Sequence, residues 1–169
     1  VDVLQNVAMT LLILQFLIGL SKTPRRFAWT CGLTAAAIVA TTPIVNGVAW
    51  TDWVPLTLAS YLYFDTGSLF PLFPWAGFTL LGAVFGVTAA PWATREHLPL
   101  LARGLFVIGA VLAVGAGYMA SAGWLDYGAI DWWRSHPLSF TQRFGSMLML
   151  LSVIAAVSHY VVRLTPPLQ

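Results

Sequence analysis

The chain has 169 residues, 59% of them hydrophobic and 8% charged, whereas a soluble domain carries roughly 25% charged residues. Its solvent is therefore a bilayer, and eight Lys+Arg against six Asp+Glu, net +2, form no cationic cluster able to follow a nucleic-acid backbone, which argues against nucleic acid as a partner. The single cysteine, Cys31, excludes an internal disulfide and a cysteine-built metal cage.

In chain order, apolar runs at approximately 3–20, 27–48, 75–92, 102–121 and 140–162 are long enough, or nearly so, to cross a hydrocarbon core that needs roughly 20 residues per helix. The expected fold is an all-α integral membrane protein, a bundle of about five transmembrane helices forming one domain over residues 1–169. No methionine, basic n-region or cleavage motif marks the start, so the first run is not read as a signal peptide. At that run's outer end Asp2, Gln5 and Asn6 are three and four apart and share a helical face. A carboxylate and two amides there suit either the hydroxyls or amine of an acceptor, or plain solvation and capping. Gln15, deeper in the run, is expected to hydrogen-bond to a neighbouring helix.

The connections set the orientation. Lys22, Arg25, Arg26, Arg95, Arg103 and Arg163, six of the eight cations, fall on one side, and Arg134 and Arg143 on the other. By the positive-inside rule the first group is cytoplasmic, with the membrane read as a bacterial inner (plasma) membrane. Arg25, Arg26, Arg95 and Arg103 are candidates for holding the phosphates of an acyl-CoA or of anionic lipid, although setting topology explains them equally.

Between the second and third runs, residues 49–74 are too apolar for an ordinary solvated loop and are expected to lie at the interface or dip back into the protein. In "FPLFPWAGFTLLGAVFG", residues 70–86, Pro71 and Pro74 hold φ near −65° and push Phe70 and Phe73 into extended conformations. The chain then reaches Trp75 on a stiff tether, with Pro74 or Trp75 starting a helix. Trp75 serves as an interfacial anchor or as part of a shaped lid over a site. Gly82 with Gly86, and Gly109, Ala113 and Gly117, make small-residue stripes suited to close helix packing.

In the last run "SFTQ" gives Ser139 and Gln142 the spacing of a capping box. That start puts Arg143 in the first turn, where a cation opposes the helix dipole. Its expected counter-ion is Asp65, Asp126, Asp131 or an anionic substrate group. His97 and His136 are expected in solvated loops, and His159 as a hydrogen-bonding group between helices. No catalytic triad and no metal-ligating spacing is present.

"VDVLQNVAMTLLIL", residues 1–14, followed by "FPLFPWAGFTLLGAVFG", resembles the heparan-α-glucosaminide N-acetyltransferase-like family of polytopic membrane proteins, over residues 1 to about 90 best. "SFTQRFGSMLMLLS" is similar to the family's later "flxRxG" helix start. The resemblance implies transfer of an acyl group from cytoplasmic acetyl-CoA or another acyl-CoA, without a metal, to a sugar amine or similar acceptor across the membrane. It also places a histidine-bearing helix before Val1 and another after Gln169, so the chain is read as the middle of a longer protein. The catalytic base is then outside this stretch, while Asn6, Asp65, Trp75 and Arg143 bind the acceptor.

A second reading is a non-catalytic membrane subunit derived from the same family and retained in a respiratory or photosynthetic complex. Its eight tryptophans and incomplete polar constellation suit that role. Partners under either reading are the lipid bilayer and a second copy of the chain or a larger membrane complex.

Overall fold

The computed structural model describes residues 3–94, 96–127 and 131–164, with side chains up to Val161. Among these residues every regular element is helical: α1 (Val3–Leu20), α2 (Pro24–Asn46), α3 (Leu56–Ala59), α4 (Leu72–Ala89), α5 (Leu98–Ser121), α6 (Trp132–Ser135) and α7 (Pro137–Leu164), with single 3-10 turns at Trp50–Asp52, Phe64–Thr66 and Ala90–Trp92. Five helices are long and apolar enough to cross a membrane, namely α1, α2, α4 with the turn after it, α5 and α7. The chain is an all-α membrane protein.

Three of the five helices, α2, α5 and α7, begin three or four residues before the apolar runs do. Pro24 opens α2, Pro99 lies in the first turn of α5 and Pro137 opens α7. A first-turn position needs no backbone N–H, so proline initiates a helix there, and the polar residues of that turn keep contact with water. Thr23 caps α2 by accepting from the Arg26 N–H at 3.2 Å.

The chain divides into two compact units, Val1–Val87 with Tyr127–Phe140, and Thr88–Asp126 with Thr141–Gln169. In the first, Leu17 of α1, Cys31 and Ala35 of α2 and Leu80 of α4 form the centre, with Ile13, Leu14, Ile38 and Val84 packed around them. Small residues allow this approach: a Cβ on Gly77 would lie 3.0 Å from the Phe140 ring and 3.2 Å from Val39. Phe140 stacks on Phe78 with ring centroids 4.1 Å apart. Outward-facing side chains are large and apolar, Phe16 being 66% exposed and Leu12 64%. Such a surface is unfavourable in water and costs nothing in hydrocarbon.

In the second unit α5 and α7 meet backbone to backbone. A Cβ built on Gly109 would lie 2.6 Å from the Gly145 carbonyl oxygen, and one on Gly145 would lie 2.6 Å from the Gly109 oxygen and the Ala113 nitrogen. Gly109 and Ala113 of the stripe thus pack as its spacing suggests, whereas a Cβ on Gly117 would meet only Gln142 Nε2, at an ordinary 3.6 Å. Gly82 and Gly86 do not: nothing lies within 4 Å of a Cβ at either, and both are exposed. The GxxxG spacing puts the two glycines on one face, but α4 turns another face, carrying Ala76, Leu80 and Val84, to its neighbours. Gln15, expected to bond across helices, is exposed instead.

These two pairs of glycines separate packing from mere spacing. Gly109→Ala or Gly145→Ala forces the helices apart and lowers unfolding free energy by about 1–3 kcal/mol, the usual cost of overpacking. Gly82→Ala and Gly86→Ala leave it unchanged or raise it by up to about 1 kcal/mol through helix propensity. Thermal unfolding of the four variants in detergent micelles measures the difference.

Candidate functional site

Residues 47–71, which join α2 to α4, are ordered by their own short helices and by bonds to the rest of their unit. The Trp50 indole N–H donates to the Val45 carbonyl at 2.7 Å, Thr51 and Tyr63 share a hydroxyl hydrogen bond at 3.1 Å, and the Leu72 N–H donates to the Tyr61 carbonyl at 2.8 Å. Ala59, Tyr63, Phe64 and Ser68 are buried. Phe73 has φ −99° and ψ 114°, outside the helical region, as the residue before a proline prefers. The continuous helix therefore starts at Pro74, where the tether was expected to end.

The far end of the tether is held by α1. Asn6, 4% exposed, donates its side-chain N–H groups to the Pro71 carbonyl at 2.9 Å and the Phe70 carbonyl at 3.1 Å. One turn later Thr10, fully buried, donates to the Asn6 backbone carbonyl at 2.8 Å and reaches its Oδ1 at 3.4 Å. Trp75 is half-buried beside this joint, its ring 5.1 Å from Phe70 and 5.8 Å from Phe78. Asn6 and Trp75 therefore sit together at the start of α4, with the Asn6 amide hydrogens directed at backbone carbonyls.

Asp65 belongs to a different place, a cleft of about 250 Å³ in the same unit, lined by Pro43, Asn46, Gly47, Phe64, Asp65, Asp131 and Ser135. Three turns of chain build it. At the end of α2, Pro43 offers no N–H to the preceding turn, Gly47 closes the helix by donating to the Pro43 and Ile44 carbonyls, and Asn46 donates to the Thr42 carbonyl at 3.1 Å. The turn Phe64–Thr66 ends at Gly67 with φ +81°, a left-handed conformation that glycine adopts without strain. Asp131 caps α6, its Oδ1 accepting from the Trp133 and Arg134 N–H groups at 2.8 and 3.2 Å.

Arg134 joins two of these turns, its Nε 3.6 Å from Asp131 Oδ2 and its guanidinium carbon 5.5 Å from the centre of the Phe64 ring. The pair is half exposed, so its Coulomb term is small and its effect is chiefly geometric. Asp65 is exposed and makes no ion pair among the described residues. Asn46 Oδ1 is buried and has no hydrogen-bond partner among them. The cleft's polar atoms are thus mostly acceptors: one amide oxygen and two carboxylates, with the Ser135 hydroxyl able to act either way. A ligand that fits it brings donors, as an amine or a polyhydroxyl compound does. The volume is slightly below the ~300–1,000 Å³ of ordinary small-molecule sites, a scale suited to one ring.

Arg143 is half-buried in α7. That helix starts at Pro137, so Arg143 lies in its second turn rather than its first, and the dipole argument for a counter-ion loses its force, since that effect fades within one turn. The expected capping box is absent as well. His136 stands before the helix, and its Nδ1 accepts from the Leu138 N–H at 3.1 Å, while Ser139 is buried inside. His136 is not a solvated loop residue: its ring packs on Trp132 at 4.4 Å and Tyr127 at 5.6 Å. Of the proposed counter-ions, Asp131 is paired with Arg134.

Among the cationic candidates, Arg25 and Arg26 are exposed in the first turn of α2 and Arg103 is exposed on α5. Arg95 and Asp2 lie outside the described residues. His97, also exposed, shares a hydrogen bond with Thr94 at 2.8 Å. No group of three or more metal-ligating side chains occurs among the described residues. Sequence reasoning missed Asn46, whose signal was its place two residues from the end of an apolar run, beside Pro43 and Gly47.

The family model described as heparan-alpha-glucosaminide N-acetyltransferase, catalytic, matches residues 1–115. No curated protein and no solved structure matches the chain.

The Asn6 joint is open to direct measurement. Asn6→Ala removes both donors and leaves the Phe70 and Pro71 carbonyls without them, a loss of about 1–3 kcal/mol for buried groups. Hydrogen exchange at residues 69–78 is expected to accelerate in this variant, with exchange in α5 unchanged.

Proposed function

The chain belongs to the heparan-alpha-glucosaminide N-acetyltransferase family, and on that premise we propose that it forms part of a membrane acetyltransferase in which the 250 Å³ cleft of Asn46, Asp65 and Asp131 binds the acceptor, a sugar amine or a related amino-polyol. The observation that carries this reading is the buried Asn46 Oδ1 with no hydrogen-bond partner among the described residues. Buried polar groups are ordinarily satisfied, and an orphan acceptor beside two carboxylates is satisfied by a ligand N–H or O–H.

In this reading the cleft binds and orients. Asp65, exposed at the rim, attracts the protonated amine, and charge-assisted hydrogen bonds to a carboxylate are about twice as strong as neutral ones. Asn46 takes a hydroxyl or amine hydrogen deeper in. Asp131 is already engaged by two backbone N–H groups and by Arg134, which leaves it a fixed wall rather than a mobile ligand. Arg134, stacked over Phe64, holds that wall against the turn that carries Asp65.

The donor is acetyl-CoA presented from the cytoplasmic side, the side that the cation count assigns to Arg25 and Arg26. Their guanidinium groups, exposed at the start of α2, are placed to attract its phosphates. The acetyl group then moves to an acceptor on the opposite side. Asn6 supports the site through the tether rather than by touching the acceptor.

Acetyl transfer from acetyl-CoA to glucosamine, assayed on membranes containing the full protein, tests this assignment. Asp65→Asn and Asn46→Ala are each expected to raise the KM for glucosamine by roughly tenfold, since one such hydrogen bond is worth about 1.5 kcal/mol, with the KM for acetyl-CoA unchanged. An unaltered glucosamine KM in both variants would remove the cleft from the acceptor site.

A further inference from the structure

A second cleft lies within the other unit, between the first half of α5 and the last turns of α7. It encloses about 500 Å³, with Arg103, Phe106 and Val107 on one wall and Ser152, His159 and Tyr160 on the other. The spacing explains the walls: 103, 106 and 107 are three and four apart, as are 152, 156, 159 and 160 taken in helical steps, so each set occupies one face of its helix. The close Gly109–Gly145 crossing brings the two helices together on one side of it, and from there they diverge to leave the cleft.

Its chemistry is divided. Toward the crossing the lining is apolar, with Phe106 48% and Val107 59% exposed. At the other end stand the guanidinium of Arg103, which makes no ion pair among the described residues, and His159, whose Nδ1 is buried with no hydrogen-bond partner among them. The Tyr160 hydroxyl and the Ser152 hydroxyl add two further donors. Arg103 is five residues from the start of α5 and His159 five from the end of α7. Counted from the Gly109–Gly145 crossing at 1.5 Å per residue, Arg103 lies roughly 9 Å and His159 roughly 21 Å toward the same end of the antiparallel pair, and because helical side chains lean toward the start of their own helix the two lean toward each other across that interval.

We propose that this cleft holds one anionic phospholipid, its phosphodiester bound by Arg103 and His159 and one acyl chain lying against Phe106 and Val107. The walls belong to membrane-crossing helices and their apolar side chains are exposed, so the cleft opens toward hydrocarbon, and a molecule that enters from there is itself a lipid. A phosphate supplies what the polar end lacks: a charge opposite to the guanidinium and an acceptor for the imidazole N–H. Basic pockets between transmembrane helices on the cytoplasmic side bind anionic head groups in this way, and the cation count assigns Arg103 to that side. The assignment is independent of the acceptor cleft, with which it shares no residue.

Native mass spectrometry of the full chain released from detergent, after incubation with phosphatidylglycerol, phosphatidylcholine or inorganic phosphate, tests the proposal. One phosphatidylglycerol is expected to remain bound, with phosphatidylcholine retained roughly tenfold less. Arg103→Gln is expected to lower phosphatidylglycerol retention by roughly tenfold, the effect of one charge-assisted contact. His159→Gln, which keeps a donor of similar reach, lowers it less, and Lys22→Gln leaves it unchanged. Thermal unfolding adds a readout that does not depend on the gas phase: phosphatidylglycerol raises the Tm of the unaltered chain and not that of Arg103→Gln. Equal retention of the two lipids, or undiminished retention and Tm shift in Arg103→Gln, overturns it. Displacement of the lipid by inorganic phosphate or by free coenzyme A at equimolar concentration also overturns it, because the site then recognises a soluble phosphate.

Discussion

The buried amide of Asn6 and the two carbonyls it meets, those of Phe70 and Pro71, impose order on the whole of the first unit. A proline-rich approach to a membrane helix removes backbone donors just where the surroundings become apolar. Its carbonyls must then find partners outside the segment, because hydrocarbon offers none. α1 supplies them from a side chain in its own first turns, and Thr10 bonds to the backbone carbonyl of the same residue and reaches its Oδ1. With the start of α4 held, Gly77 can admit the Phe140 ring, and Leu80 reaches the core shared with α1 and α2. The apolar contacts contribute most of the burial, and the hydrogen bonds determine which burial is adopted.

The polar chemistry of the chain is concentrated at helix ends. The small cleft gathers the end of α2, a glycine-terminated turn and the cap of α6, and offers acceptors for a donor-rich ligand. The cleft between α5 and α7 offers donors and a cation to an anion. In the readings proposed for them, the first receives an amine-bearing acceptor and the second a lipid phosphate. Helix ends in a bilayer are where backbone groups, charges and water meet, so binding sites form there without placing a charge in the middle of the membrane.

Much of the architecture was legible in the residues themselves. Five apolar runs of near-spanning length identified the five long helices, and proline accounts for the small errors at their starts. The family was readable from the opening helix and the "FPLFPW" helix start. The Gly109, Ala113 stripe was read correctly as packing, while the same argument failed for Gly82 and Gly86, because a periodicity defines a face without saying what that face meets. Arg143 was misplaced by one turn because Pro137 began the helix before the serine that looked like its cap.

Composition and the lengths of the apolar runs thus determined the solvent and the number of helices able to cross it, since both follow from the length and apolarity of a contiguous segment, and the family was legible in two short motifs. Only the tertiary structure decided which isolated polar residues stand near one another. Asn6 is separated from Phe70 by 64 positions, Asn46 lies far along the chain from Asp131, and Arg103 from His159. Whether two such residues converge depends on which faces the helices turn to one another and on where small side chains permit close approach. Those choices are made by the packing of all the helices together and are written in no single stretch of chain.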